Sequence, residues 1–452
     1  MTSVTNDRLL LWGQVLGCIY VLLLGIGVAL PLRLTACDLL FPLMLCFLCF
    51  KAYLDRKDAR PFFRRRWEDV FLLWFLGVSL LGTLLHIVSG GAFLANMYEW
   101  CVFLYCALLL FFFRAFPLSK AQMLRLGTVI LGAFLLCWLF DIVVYVFNKE
   151  ASPLFWEVYG KMEESSMPFL ARRYSFTFGN PNLAAPYCAL GALLMAAGMD
   201  EARRKWSYFL LLGANLLPIA STMSKHGVLY LGVLLFLFAS QISRLIGEKW
   251  AKGLALTALA LVICVFEITV LFVTFPLKGD FPFINTQPGM YNIHQSAYFR
   301  MLSGDDWEIK EGIFKGWHHK TIRPLGRSVE QLHELYPQCV NVQSAAETLR
   351  FYNSEKDLGG FCSYMDPHCE YLNLATLFGV PAMLLMLFYL VYVPRRNLLA
   401  LCWISAIFGS MLWDDVLSKR WIWIGIAIVI AINEYKGSKN ETLQQGTPVG
   451  GN

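Results

Sequence analysis

Runs of about 17–25 apolar residues, separated by short polar turns, recur along the chain, and each is long enough to cross a bilayer as a helix. Twelve are predicted, near residues 11–31, 37–54, 69–88, 97–116, 123–147, 181–199, 206–222, 227–246, 252–275, 370–393, 397–414 and 420–435. An even number puts both termini on one side. The first run, about 9–32, exceeds a signal-peptide core and lacks a small-residue cleavage site, so it is predicted to be a retained signal-anchor helix. Two longer polar stretches interrupt the pattern, about 148–180 between spans five and six and about 275–369 between spans nine and ten. Within the second, periodicity over Asp306–Trp317, Val329–Tyr336 and Gln343–Phe351 predicts short amphipathic helices. The organisation expected is therefore residues 1–274 as spans one to nine, 275–369 as a large partly helical loop, and 370–436 as spans ten to twelve. Residues 437–452, rich in Gly, Ser, Asn and Gln, are predicted to be a disordered tail. This is an all-α polytopic membrane fold, with no internal repeat.

Composition agrees with a lipid solvent. Hydrophobic residues make up 57% of the 452 and charged residues 15%, against roughly 25% charge in soluble domains. A net charge of +6 raises the question of nucleic acid, but the basic residues are distributed as a membrane protein requires. Lys51, Arg56, Lys57, Arg60, Arg64, Arg65 and Arg66 follow span two, Arg114, Lys120 and Arg125 flank the fourth connection, and Arg203, Arg204 and Lys205 follow span six. With Arg8, Arg244, Lys249, Lys252, Arg395, Arg396, Lys436 and Lys439, 21 of the 38 Lys and Arg residues fall on one side. The excess of positive charge marks the cytoplasmic face, so both termini are expected in the cytoplasm and the long loops outside it. No nucleic-acid partner is expected. Most of the 13 cysteines, such as Cys46, Cys49, Cys101, Cys106 and Cys137, lie in apolar runs as small hydrophobes. Cys339 and Cys362 in the large loop are open to either free thiols or a disulfide.

The candidate chemistry falls on the non-cytoplasmic side. Met365-Asp366-Pro367-His368 leads into span ten, and Asp366 and Pro367 suit a helix start. His368 would then stand in the first turn, where the helix dipole disfavours imidazolium and keeps the ring basic. That suits a general base; a histidine bonded to loop backbone is the structural alternative. The turn Ser221-Thr222-Met223-Ser224-Lys225-His226 joins spans seven and eight and carries a cation close to hydrocarbon, the alternative being a snorkelling lysine. Arg300 suits a bidentate phosphate contact or a solvated loop position. Arg172 and Arg173 precede Phe178-Gly179-Asn180-Pro181-Asn182, a turn into span six. Four cations and one candidate base on one membrane face meet the requirement for handling a lipid pyrophosphate. Such a leaving group needs charge stabilisation rather than a general acid.

Asp305-Asp306 and Asp414-Asp415 are paired acids without the surrounding ligands of a metal site, and are expected to be solvated surface. Asp141 and Glu267 lie inside predicted spans, where they would line a cavity or bond a neighbouring helix. No Walker A or dinucleotide-binding pattern occurs, and no cofactor or metal is expected.

At these residues the chain resembles the O-antigen ligase family of membrane glycosyltransferases, which includes related polymerases and protein O-oligosaccharyltransferases. The resemblance rests on an ordered set: Phe178 to Ala184, then Thr222-Met223-Ser224-Lys225-His226-Gly227, then Arg300 with Trp307, then Pro367-His368-Cys369-Glu370-Tyr371-Leu372 and Gly379-Val380-Pro381. It covers about 175–381, with the span layout covering the rest. Lys225 stands where the family usually has Arg, and Cys369-Glu370 replaces the usual Asn after the histidine. The resemblance implies a GT-C-like fold and a metal-independent, inverting transfer of a glycan from undecaprenyl pyrophosphate to lipid A–core, in lipopolysaccharide biosynthesis at a bacterial inner membrane. It implies His368 as catalytic base and Arg300, Lys225, Arg172, Arg173 and His226 around the donor pyrophosphate. An O-antigen or exopolysaccharide polymerase and a protein O-oligosaccharyltransferase share the donor. A non-enzymatic polysaccharide transporter is a separate class, and cations clustered outside the hydrocarbon argue against it.

Overall fold

The computed structural model describes residues 2–26, 35–57, 67–88, 93–148, 156–158, 172–178, 181–222, 225–246, 250, 257, 370–371, 374, 378–393, 398–411 and 416–445. The architecture is helical. Helix α1 spans Thr2–Leu24, a 3-10 turn Ala36–Leu40 runs straight into α2 Phe41–Lys57, and α3 Trp67–Val88, α4 Phe93–Ala115 and α5 Lys120–Asn148 follow. After a short antiparallel ribbon, β1 Trp156–Val158 and β2 Arg172–Tyr174, come α6 Pro181–Gly198, α7 Lys205–Ala214, α8 Leu216–Ala220 and α9 Lys225–Ile246. The described chain resumes as α10 Val380–Tyr392, α11 Leu398–Ser410 and α12 Arg420–Gln445. Among the described residues, five helices are long and apolar enough to cross a membrane: Asn6–Leu24, Ala36–Arg56, Met97–Ala115, Lys120–Val144 and Pro181–Glu201. Shorter apolar helices stand at Asp69–Leu85, Leu229–Ile242, Val380–Tyr392, Leu399–Ser410 and Arg420–Ile432.

Burial explains which helix sits where. Helix α6 is rich in Ala and Gly and buried from Ala184 to Gly198 on every side, as a helix without a polar face must be. Small residues let its neighbour come close. A methyl group added at Gly127 of α5 would collide with the backbone of Gly191 and Met195, and one at Gly191 would strike the Ile130 side chain. Trp12, Phe140, Phe147, Trp206, Leu210 and Phe388 are exposed, the outward apolar surface that a lipid solvent covers.

The helices alternate between two ends. At one end Lys51 bonds Asn6 at 3.2 Å and Asp55 at 2.6 Å. Arg114 there grips the buried carboxylate of Asp69, Lys120 meets Asp200 at 2.9 Å, and Gln14 donates to the Pro117 carbonyl at 2.7 Å. This basic end collects the start of α1, the end of α4 and the start of α5. The opposite, polar end collects the start of α2, the ribbon, the starts of α6, α9 and α12, and residue 370.

Four expectations need correction or qualification. The span predicted at 206–222 is not one helix. It breaks at Asn215, because Pro218 lacks the N–H that would bond the Ala214 carbonyl and its ring crowds it. The buried Asn215 amide instead donates to the carbonyls of Leu131 at 3.1 Å and Leu211 at 2.9 Å. The span predicted at 370–393 is also divided. Gly379 has φ 89° and ψ 158°, a conformation a side chain resists, and α10 restarts after it. The tail expected to be disordered from 437 is helical to Gln445, since its Glu, Lys, Leu and Gln residues favour a helix over coil. The ribbon inside 148–180 was not foreseen, three-residue strands being too short to show a period. The span near 252–275, apart from residue 257, and the amphipathic helices of the large loop, with Cys339 and Cys362, lie outside the described residues.

Candidate functional site at the polar end

Two of the four predicted elements are joined directly. Tyr174, last residue of β2, donates its backbone N–H to the Ser221 carbonyl at 3.0 Å. Its hydroxyl donates to the Phe134 carbonyl at 2.8 Å, with the Phe134 ring edge-on at 5.0 Å. Ser221 Oγ in turn accepts from Trp138 Nε1 at 3.1 Å. The strand carrying Arg172 and Arg173 is thereby stitched to the turn that leads into Lys225 and His226, the first two residues of α9. In the ribbon Arg172 pairs with Val158 and Arg173 with Glu157. Tyr174 is fully buried. Burial first, then the neighbouring Cys137 and Asp141, pushes its phenol far above its ordinary pKa, so it remains a donor at any working pH. Asp141 itself is buried in α5.

The chain then turns sharply. Phe176 holds φ 52°, a strained value for an aromatic residue, and its ring packs at 5.3 Å from Phe134 and 6.2 Å from Tyr187. Thr177 Oγ1 donates to the Gly25 carbonyl at the end of α1. Phe178, which opens the Gly-Asn-Pro-Asn run, lies 5.4 Å from the Tyr187 ring and 6.0 Å from Trp421. That last contact connects the motif to the start of α12.

There the structure reveals a polar cluster. Asp38 is buried, and its Oδ2 accepts from Thr35 N–H at 2.7 Å, Thr35 Oγ1 at 3.0 Å and an Arg420 terminal nitrogen at 2.6 Å. Its Oδ1 accepts from the Tyr105 hydroxyl, which shares a 2.6 Å hydrogen bond with Tyr20. The Arg420 guanidinium lies over the Tyr105 ring at 5.5 Å, a cation–π contact. Helices α1, α2, α4 and α12 meet at this point.

The cluster is recessed. Tyr105 stands twelve residues past Phe93, about 18 Å along α4. Asn148, the end of α5, lies ten residues beyond Trp138, about 15 Å of helix. Asp38, Ser221 and Arg420, which touch Tyr105 or Trp138, therefore lie well inside the reach of α4 and α5. Irregular backbone at membrane depth survives only where protein or a water-filled cavity surrounds it.

Glu370 holds the beginning of the C-terminal part in the same region. It is fully buried; its N–H donates to the Met411 carbonyl at 2.7 Å and its Oε2 accepts from Leu417 N–H at 3.1 Å. Tyr371 adds a 2.9 Å bond to the Phe408 carbonyl. The segment that follows His368 in sequence is thus pinned to the α11–α12 connection.

Of the predicted site residues, the structure brings the backbones of Arg172, Arg173, Lys225 and His226 to one end, while His368 and Arg300 lie outside the described residues. So do Glu267, Asp305, Asp306, Asp414 and Asp415. Sequence reading missed Asp38, Tyr105, Tyr20 and Arg420. Two signals were available. Thr35-x-x-Asp38 is a capping box, and Arg420 is a cation at the end of a span opposite the basic face. Comparison of the chain with protein-family models, with curated proteins and with solved structures finds no match.

Proposed function

We propose that the chain is a membrane glycosyltransferase of the O-antigen ligase type, moving a glycan from undecaprenyl pyrophosphate to lipid A–core outside the cytoplasm. What carries this reading is the Tyr174–Ser221 backbone hydrogen bond. It ties the strand of Arg172 and Arg173 to the turn before Lys225 and His226, so the backbones of two cation-bearing motifs lie at the end opposite the basic face. The resemblance of the ordered motifs supplies the chemistry. The His368 imidazole takes the proton of an acceptor hydroxyl, whose oxygen attacks the anomeric carbon of the donor glycan. The bond from that carbon to the pyrophosphate oxygen breaks on the opposite side, giving an inverted glycosidic bond and free undecaprenyl pyrophosphate. Arg300, Lys225, Arg172, Arg173 and His226 stabilise the charge that gathers on the leaving group, the largest single contribution in reactions of this kind. The reaction balances without metal or cofactor.

The test is a deletion strain complemented with wild type or His368→Ala, its surface polysaccharide and lipid-linked intermediates examined together. Loss of capped core with accumulation of lipid-linked polymer supports a ligase; core carrying a single repeat unit indicates a polymerase. General-base catalysis contributes roughly 10²–10⁴-fold, so His368→Ala at normal membrane level is expected to bind donor and barely transfer it. Wild-type transfer by a normally expressed His368→Ala removes the base from the mechanism.

A further inference from the structure

The half-buried cation Arg420 has more binding capacity than its surroundings use. A guanidinium carries five N–H donors, and among the described residues Arg420 spends one of them, on Asp38 Oδ2 at 2.6 Å. Its Nε is buried and, among the described residues, has no hydrogen-bond partner. The side chain nonetheless retains 21% exposure, against 4% for the Asp38 side chain. Its holding is unusually complete. Asp38 is itself fixed by Thr35 and Tyr105, and the Tyr105 ring lies under the guanidinium. Among the described residues, Asp38 is the charged side chain that pairs with Arg420. A buried unsatisfied donor is costly, and a planar fork held by a carboxylate is preorganised for two acceptor oxygens.

Position selects the kind of anion. Arg420 is the first residue of α12, where the helix dipole favours negative charge. Its neighbour Trp421 touches Phe178, and four residues earlier Tyr174 bonds the turn before Lys225. The guanidinium lies over Tyr105, midway along α4 and flanked by membrane-length helices. An anion there arrives most readily on a lipid. We propose that Arg420, held by Asp38, is a further ligand for the phosphate of the lipid-linked donor. This rests on the glycosyltransferase reading for the donor's identity.

The experiment uses the full chain in nanodiscs of phosphatidylcholine, titrated with undecaprenyl pyrophosphate, undecaprenol, phosphatidylglycerol and inorganic pyrophosphate. Arg420→Lys keeps the ion pair with Asp38 but loses the fork. Asp38→Asn combined with Arg420→Gln removes both charges and leaves neither orphaned. Arg114→Lys makes the same replacement in the buried pair at the basic end. Wild type and Arg114→Lys are expected to bind undecaprenyl pyrophosphate alike and to ignore undecaprenol. Arg420→Lys and the double variant are expected to melt within a few degrees of wild type and to bind at least ~10-fold more weakly, as loss of a charge-assisted bidentate contact implies. Undecaprenyl pyrophosphate binding that neither Arg420 variant changes overturns this assignment and leaves the glycosyltransferase reading standing. Equal, Arg420-dependent binding of phosphatidylglycerol retains the anion site but overturns the donor as its ligand. Wild-type protein that binds none of the probes overturns both.

Discussion

Replacing Glu370 tests whether docking of the residues after His368 onto the α11–α12 connection matters for transfer. The carboxylate is fully buried and accepts from Leu417 N–H at 3.1 Å. A hydrogen bond to a charged group contributes about 1.5–3 kcal/mol, and a neutral one about 0.5–1.5 kcal/mol. Glu370→Gln keeps an acceptor for Leu417 and so forfeits roughly 1 kcal/mol of that bond. Glu370→Ala leaves a buried N–H unsatisfied, at about 1–3 kcal/mol, and opens a space where a methylene and a carboxylate had been. Its total cost is therefore roughly 3 kcal/mol. The backbone bond from residue 370 to Met411, 2.7 Å long, survives both changes. The two variants are to be purified at full length, and thermal unfolding and single-turnover transfer of a lipid-linked glycan measured on the same preparations. Glu370→Gln is expected to melt close to wild type and to transfer within a few-fold of it. Glu370→Ala is expected to melt several degrees lower and, at a temperature where it remains folded, to lose more than tenfold in transfer with donor binding intact. Wild-type melting and wild-type transfer by Glu370→Ala would refute the argument. A lowered melting point with undiminished transfer would show that the docking supports the fold alone.

The cation roles predict an asymmetry: Arg300→Lys loses the bidentate fork and is expected to cut transfer at least ~10-fold, whereas Lys225→Arg restores the residue usual in the resembling family and is expected to be tolerated. Steady-state assays of the two side by side decide, and full activity in Arg300→Ala removes that residue from the site. Reporter fusions after residues near 60 and 202 are expected to report the cytoplasm and one near 330 the opposite side. A cytoplasmic signal at 330 would overturn the functional reading. At the α5–α6 contact, Gly191→Leu is expected to destabilise the detergent-purified protein by more than ~2 kcal/mol, since a side chain there strikes Ile130 and overpacking costs about 1–3 kcal/mol or more. Unchanged resistance to thermal unfolding in that variant would mean the helices separate without penalty.

Hydropathy located helices because the lipid-facing residues and the core residues are both apolar, so a run such as Lys120–Asn148 reads as one element whichever way it turns. It could not see where such a run breaks. Asn215 and Gly379 interrupt helices for local backbone reasons, Pro218 crowding one and a positive φ marking the other, while the average apolarity hardly changes. The site was legible in part for the same reason. Arg172, Arg173, Lys225 and His226 stand out as polar residues beside apolar runs, and short-range spacing places them near one face. Asp38 and Arg420 are 382 residues apart, and nothing local to either announces the other. Glu370 was visible only as a departure from a family pattern; its bond to Leu417 depends on how α11 and α12 meet.

The composition of α6 has a consequence for how the protein is made. A segment leaves the translocon for lipid in proportion to its own apolarity, yet α6 carries Pro186, Gly191 and Gly198 and offers mostly small side chains. Its close neighbour α5, with its long Leu, Phe and Val side chains, is far better suited to partition alone. The glycines that let the two approach are the residues that weaken α6 as an independent passenger. Insertion of α6 is therefore expected to depend on α5 waiting beside the exit site. Separating the two by a long spacer should slow integration of α6 even though every residue of the mature contact is retained.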